Sequence, residues 1–102
     1  MQGVASKEEL AGIIKSNEKV IIDFWAPWCG PCRMLGPIIK EVSDEVSDAV
    51  VVKINVDEVG DVATSYGVTS IPAIVIIKAG VTVESMVGVQ PKQKYIDAIN
   101  NA

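Results

Sequence analysis

The sequence predicts an α/β fold in which a central mixed β-sheet is flanked by helices on both faces and ends in a C-terminal antiparallel hairpin. Short, β-branched apolar runs alternate with segments whose apolar residues recur every three or four positions, which indicates strands alternating with helices. The last two apolar runs are separated by a connection of hairpin length. Strands joined first by helices and then by a hairpin form a mixed sheet. With 102 residues, 49% of them hydrophobic, the chain has the size of one domain, which we expect to span residues 1–102.

The first part of the chain predicts a helix followed by a buried strand. Ser6 and Glu9 have the spacing of a capping box and precede apolar residues at helical spacing, which predicts a helix over about 6–16. Residues 20–25 are β-branched and almost wholly apolar, which is typical of a central strand buried on both faces. This run contains one acid, Asp23. Asp23 is therefore either a buried carboxyl with a function or an edge-strand acid that faces water.

A second helix, strand and short helix follow. Apolar residues at helical spacing predict a helix over about 30–47, with a kink at Pro37. Residues 50–56 form another apolar run and predict a buried strand. Asp57 begins a segment that predicts a short helix closed by Gly67.

The last part of the chain predicts the hairpin and a final helix. Residues 73–77 and 81–87 are strands joined by 78–80, so we expect them to pair antiparallel. Pro91 is expected at the first position of the last helix, because proline is favoured there. The core-facing residues of that helix are Tyr95, Ile96 and Ile99.

The composition excludes several classes of function. The net charge of −4, with Lys and Arg scattered among acids, argues against nucleic acid as a partner. No apolar stretch approaches the roughly 20 residues that span a bilayer, and the N-terminus lacks a basic and then apolar leader, so we expect a soluble cytoplasmic protein without a membrane partner. The sequence has no histidine, which excludes Cys-His catalysis, Ser-His-Asp triads and the commonest zinc sites.

Cys29 and Cys32 are better explained as chemistry than as a structural disulfide, because they enclose too small a loop to brace a fold. They fall where a strand ends and a helix begins, so both sulfurs lie on one side of the first turn. Free amide N–H groups and the helix dipole favour a thiolate there, and Cys29 is the better placed nucleophile. We expect Cys29 at an exposed rim and Cys32 more deeply buried. Gly30 permits close approach of a partner chain, and Pro31 stiffens the turn.

Residues 23–32, with the sequence DFWAPWCGPC, resemble the active-site segment of the thioredoxin family. The resemblance continues in the family's order over nearly the whole chain, through residues 53–57, 66–68, 71–72, Gly80 and 87–88. It implies the thioredoxin fold and a thiol-disulfide oxidoreductase that reduces protein disulfides. The Gly-Pro pair between the cysteines resembles reducing members of the fold, whereas oxidases and isomerases have Gly-His or Pro-His there.

The resemblance also implies roles for individual residues. Cys29 attacks a substrate disulfide, Cys32 resolves the mixed disulfide, and Asp23 helps to deprotonate Cys32. A buried carboxyl suits this role because desolvation raises its pKa. Pro72 matches a cis-proline that faces the active site in the family. The residues that match the apolar rim for substrate are Trp28, Ile71, Gly88 and Val89, and extended substrate backbone is expected to pair beside Ile71.

Lys53 lies within an apolar run, and the residues leave two readings of it open. It either pairs with Asp23 and tunes its proton affinity, or extends its ammonium to solvent. Ser70 and Ala73 depart from the Gly and Thr that are frequent at the corresponding family positions, which bears on groove width and substrate preference.

The resemblance implies a monomer that needs no cofactor other than the redox-active Cys29–Cys32 disulfide. Its implied partners are protein disulfides as substrates and an NADPH-dependent flavoprotein, thioredoxin reductase, as electron donor. Two other classes stay open at this stage. A metal-binding module would use the two thiolates around zinc or an iron–sulfur cluster, but one CxxC without His supplies half a usual ligand set. A non-catalytic interaction module would use the groove only to grip a partner.

Overall fold

Five strands form one mixed sheet in the computed structural model, which describes residues 1–102. The elements in chain order are β1 (Gln2–Gly3), α1 (Lys7–Ser16), β2 (Lys19–Trp25), α2 (Gly30–Glu45), β3 (Val50–Asn55), α3 (Gly60–Ser65), β4 (Ala73–Lys78), β5 (Val81–Val87) and α4 (Lys92–Asn100). The strand order is β1-β3-β2-β4-β5. β3 is parallel to β1 and β2, whereas β4 is antiparallel to β2 and β5. The predicted fold class is confirmed.

The sheet separates two apolar cores. The core between the sheet and α1 and α3 includes Leu10, Val62 and Phe24. The core between the sheet and α2 and α4 includes Leu35 and Tyr95. Successive β2 residues contribute to opposite cores, which confirms that this strand is central and buried on both faces. Each fully buried aliphatic side chain contributes about 1.5–3 kcal/mol, so these cores supply the main stabilisation.

Strand β1 was not predicted from the sequence. It contains two residues, Gln2 and Gly3, which pair with Val52 and Lys53 at the edge of the sheet. The Val4 N–H continues the ladder by donating to the Lys53 carbonyl at 2.9 Å. Two residues carry no periodicity, so only the neighbouring strand defines this element.

The helix ends depart from the predicted bounds by a few residues. Helix α1 has Ser6 as its N-cap, whose hydroxyl accepts from the Glu9 N–H at 3.1 Å, as expected for a capping box. Helix α2 ends at Glu45 rather than near residue 47. Pro91 is the N-cap of α4, and Lys92 is its first helical residue, so the predicted position of this proline was wrong by one.

Helix α3 begins later than the predicted Asp57, because Asn55 organises a turn before it. The Asn55 side chain accepts from the Asp57 N–H at 2.9 Å, and its main-chain carbonyl accepts from the Glu58 and Val59 amides. The helix ends as predicted near Gly67, which has a φ of 70°. The Val68 N–H bonds to the Ala63 carbonyl and the Gly67 N–H to the Thr64 carbonyl, which forms a Schellman motif.

The predicted hairpin is confirmed, with a loop of two residues rather than three. Lys78 pairs with Val81, so Ala79 and Gly80 form the turn. Both have positive φ, 50° and 81°, as a type I′ turn requires. The Ala79 N–H donates to the Glu18 carbonyl at 2.8 Å and fixes the turn against the α1–β2 connection. None of the four helices is long and apolar enough to cross a membrane.

Candidate active site

The two cysteines lie at the N-terminus of α2, shortly after β2. Cys29 is the N-cap of the helix and Gly30 its first residue. A disulfide joins Cys29 to Cys32, and their Cα atoms are 5.3 Å apart. The Cys32 N–H donates to the Cys29 sulfur at 3.2 Å. The Cys29 sulfur therefore occupies the cap position, where an amide N–H and the helix dipole stabilise negative charge.

The expected difference in exposure between the cysteines is wrong for the disulfide form. Cys29 is 5% exposed and Cys32 is 7% exposed, so both are buried. They pack with Ala26, and Trp25 and Ile71 close the cluster from the side. Part of this burial comes from a loop that is distant in sequence from the cysteines, so local position did not predict it. The cap hydrogen bond, rather than exposure, distinguishes the two sulfurs.

Asp23 lies inside the sheet, on the strand that leads to the cysteines. This strand is central, so the alternative of an edge-strand acid facing water is wrong. The residue is 2% exposed, and its Oδ1 has no hydrogen-bond partner. Burial raises the pKa of this carboxyl from 3.8 to about 6, and the positive charge of Lys53 opposes part of that rise. Asp23 can therefore hold or release a proton near neutral pH.

Lys53 lowers the proton affinity of Asp23, as one of its two predicted arrangements requires, but it does not form a direct ion pair with the acid. It is the register partner of Asp23 on the parallel strand β3, yet its Nζ lies 4.6 Å from the centre of the Trp25 ring. This cation–π contact holds a half-buried ammonium without a salt bridge to the acid. A cavity of about 280 Å³ opens beside it. The residues that line the cavity are Trp25, Ala26, Pro27, Cys32, Arg33, Gly36 and Lys53.

Trp28 stands at the surface beside the disulfide. Its side chain is among the most exposed large apolar groups of the chain, at 67%. The indole N–H nevertheless donates to Asp57 Oδ2 at 2.9 Å, and Asn55 holds the Asp57 backbone. The indole is therefore fixed in orientation although it is exposed. This role of Asp57 was not predicted from the sequence, where its only local signal is the Asn-x-Asp spacing of the turn.

The Ile71–Pro72 and Gly88–Val89 segments, which were predicted to form the other side of the site, are joined to each other in the structure. The Ile71–Pro72 peptide bond is cis, as predicted from the resemblance. Ile71 packs against the cysteine cluster, and the carbonyl of the buried Pro72 accepts a hydrogen bond from the Gly88 N–H at 2.8 Å. Gly88 has a φ of 81°, a conformation that favours glycine, and Val89 is 36% exposed. The structure thus ties these two segments together through Pro72 and Gly88.

Comparison with known proteins decides the family. The family model described as thioredoxin matches residues 3–101. The chain belongs to the thioredoxin family. Its CxxC pair, at disulfide distance on a helix N-terminus, is the family's redox site, and the chain is a thiol-disulfide oxidoreductase of the protein-disulfide reductase type.

Individual relatives of the thioredoxin family resemble the chain over most of its length. The thioredoxin of Mycoplasma genitalium is 44% identical over 98 residues, which are 96% of each chain. Thioredoxin 1 of Synechococcus elongatus is 49% identical over 89 residues, which are 86% of this chain and 83% of the relative. Among solved structures, a mutant thioredoxin from Halobacterium salinarum NRC-1 superposes with a TM-score of 0.93 at 38% identity, covering 98% of this chain and 88% of that one.

Two further observations bear on the thioredoxin-type site. Gly30 and Pro31 are exposed, and a Cβ at Gly30 would meet no atom of the chain within 4 Å. Packing within the chain therefore does not require glycine there.

No group of three or more His, Cys, Asp or Glu side chains that could hold a metal ion is found.

Proposed function

We propose that this member of the thioredoxin family carries electrons from a thioredoxin reductase, an NADPH-dependent flavoprotein, to disulfides of other proteins. The observation that carries the proposal is the arrangement of the active-site pair. The Cys29 sulfur caps a helix and accepts the Cys32 N–H at 3.2 Å, and the buried Asp23 lies on the strand that leads into this turn. These three residues supply a stabilised thiolate, a second thiol and a proton acceptor.

In the first step, the Cys29 thiolate attacks one sulfur of a substrate disulfide. A mixed disulfide forms, and the other substrate sulfur leaves as a thiolate that takes up a proton. Cys32 then loses its proton and attacks the Cys29 sulfur, which closes the Cys29–Cys32 disulfide and releases the second substrate sulfur as a thiolate that also takes up a proton. Two electrons and two protons pass to the substrate. Asp23 accepts the Cys32 proton, because burial raises its pKa to about 6. Asp23 must be ionised before it can accept this proton, and the Lys53 charge stabilises that ionised form.

The rim residues receive the substrate in this proposal. Trp28 offers an exposed, oriented indole, and Val89 adds an exposed apolar contact on the other side. The main-chain N–H and C=O of Ile71 take no part in the backbone hydrogen bonds of the loops, which leaves them for an extended substrate strand. Pro72 and Gly88 hold the two segments at a fixed separation. Gly30 and Pro31 leave the approach to Cys29 open.

We also propose that residues 1–102 act as one domain and as a monomer in the cytoplasm, with no cofactor besides the disulfide. The net charge of −4 argues against nucleic acid as a partner. The lack of histidine argues against the commonest zinc sites. This chain alone supplies the two thiols and the carboxyl that the proposed mechanism uses.

Reduction of insulin tests the proposal. We expect the protein to accelerate dithiothreitol-driven insulin reduction, and to couple NADPH oxidation to it when a thioredoxin reductase is added. The Cys29→Ser/Cys32→Ser double variant is the control and is expected to be inactive. No acceleration over dithiol alone contradicts the reductase function, and stoichiometric zinc or iron in the purified protein favours the metal-binding alternative. The equilibrium potential of the pair against glutathione tests the direction, since a value near that of isomerases contradicts it.

A further inference from the structure

The hydroxyl of Tyr95 connects the buried face of α4 to the loop that follows β5. Tyr95 is 1% exposed and belongs to the core between the sheet and helices α2 and α4. Its hydroxyl donates to the Gly88 carbonyl at 3.3 Å and accepts from the Gln90 N–H at 2.9 Å. A tyrosine hydroxyl has one proton to donate and lone pairs to accept, so both contacts form at once.

The two contacts enclose Val89. Gly88 and Gln90 are the residues on either side of it, and the hydroxyl holds one polar main-chain group of each. Gly88 is also bound from its amide side, where its N–H donates to the Pro72 carbonyl. The short segment between β5 and α4 is therefore fixed at both ends of Val89, and the buried phenol is one of the fixing groups.

A phenylalanine at position 95 would fill much the same apolar volume without these bonds. The hydroxyl is therefore not needed to fill the core, and burying it is favourable only because both partners are present. Its partners belong to the Gly88–Gln90 segment, which contains part of the apolar rim, rather than to the core. The hydroxyl therefore holds this segment in a fixed position relative to the sheet.

We propose that Tyr95 is a positioning residue for protein substrates, which holds the Gly88–Gln90 segment in place to receive an extended peptide beside the disulfide. The inference rests on the proposed function, because it concerns how that site selects its substrates. A peptide that lies across the site contacts the rim on both sides of the cysteines and depends on the rim's position. A small aromatic disulfide needs only the Cys29 sulfur, so Tyr95 distinguishes protein disulfides from small ones.

The test compares Tyr95→Phe with the wild type on two substrates, insulin and 5,5′-dithiobis(2-nitrobenzoate). We expect Tyr95→Phe to raise KM for insulin about three- to tenfold, as loss of one or two hydrogen bonds would, with kcat within about twofold of the wild type. Rates with the small disulfide are expected to stay unchanged. Tyr66→Phe is the matched control, because Tyr66 packs on the opposite face of the sheet. It is expected to leave the kinetics with both substrates unchanged.

Two further measurements separate positioning from general loss of stability. Tyr95→Leu packs differently in the core but lacks the same hydroxyl. If loss of the hydroxyl is the cause, Tyr95→Leu is expected to raise KM for insulin by the same factor as Tyr95→Phe. Amide hydrogen exchange at Gln90 is expected to rise in both variants, because its acceptor is gone. An unchanged KM for insulin in Tyr95→Phe, or an equal loss on both substrates, overturns the inference. Failure of the wild type to reduce insulin would instead contradict the proposed function.

Discussion

Asp23 and Lys53 are register partners on the neighbouring strands β2 and β3, yet the Lys53 ammonium lies over the Trp25 ring rather than on the carboxylate. Asp23 Oδ1 is left buried without a hydrogen-bond partner. The Lys53 charge still acts on the acid through space and lowers its pKa, but desolvation by burial is the larger effect and the pKa rises to about 6. An acid held in this way is costly to ionise and suited to proton transfer.

Asp23→Asn is expected to stabilise the protein at neutral pH. The pKa of Asp23 is higher in the folded state than its ordinary value of 3.8, so the folded state binds the proton more tightly. The contribution of protonated Asp23 to the free energy of unfolding is therefore fully present below about pH 4. It is lost as the pH rises through about 6. The difference corresponds to about 3 kcal/mol at pH 7, reduced by the burial of the new amide.

Urea denaturation at pH 4 and pH 7.5 measures this gain. The advantage of Asp23→Asn over the wild type is expected to grow from near zero to about 2–3 kcal/mol between these pH values. Its turnover of insulin near neutral pH is expected to fall. Asp61→Asn serves as the control, because it neutralises an exposed acid away from the site. An advantage that does not change with pH would show that the pKa of Asp23 is not raised in the folded state.

Lys53→Gln is expected to raise the pKa of Asp23 further, because it removes the charge that lowers it. The acid limb of the pH–rate profile for insulin reduction is therefore expected to move to higher pH. Lys40→Gln is the matched control, since Lys40 pairs with Asp44 on an exposed helix face. A profile that moves equally in both variants would assign the effect to net charge rather than to Lys53.

Removal of the Trp28 anchor is expected to weaken binding of protein substrates. In Asp57→Ala, the indole N–H loses its acceptor at 2.9 Å and the exposed ring is free to reorient. Loss of this exposed bond is worth about 0.5–1 kcal/mol, so KM for insulin is expected to rise about two- to fivefold. Steady-state kinetics measures the change, and Glu58→Ala, which removes a neighbouring exposed acid, is the control.

The two cysteines are expected to differ in reactivity although their exposures are nearly equal. Cys29 accepts the Cys32 N–H at the helix cap, so it supplies the thiolate. Cys32→Ser is expected to trap substrates as mixed disulfides, at least about tenfold more than Cys29→Ser. Limiting iodoacetamide followed by peptide mapping tests the reduced wild type in the same way. Equal labelling of both cysteines, or preference for Cys32, would reverse their roles.

Ala79→Asn is expected to stabilise the hairpin. Ala79 has a φ of 50°, a region that costs an ordinary residue about 1 kcal/mol but that asparagine tolerates. We expect the free energy of unfolding to rise by about 0.5–1 kcal/mol, measured by urea denaturation. The matched variant Gly80→Ala is expected to lower it by about 1 kcal/mol, because its φ of 81° strains any Cβ although space is free. Opposite signs in the two variants are the essential result.

Much of the fold was predictable because its signals are local. The capping residue Ser6, the uninterrupted apolar run of β2 and Gly67 after α3 each act through neighbours in the chain, and each lies where it was predicted. One of the errors was also local in origin. Helix α3 begins late because the Asn55 side chain competes for amides that periodicity assigns to the helix.

The sequence by itself determined the order of the helices and of the four longer strands, the CxxC pair at a strand–helix junction and the acid inside a buried run. Only the tertiary structure decided the equal burial of Cys29 and Cys32, the position of Lys53 over Trp25 and the bonds from Tyr95 to the rim. Periodicity, caps and turns depend on residues within a few positions of each other. Burial and hydrogen-bond partners depend on which distant segments the sheet brings together, so they become defined only when the two cores close on either side of β2.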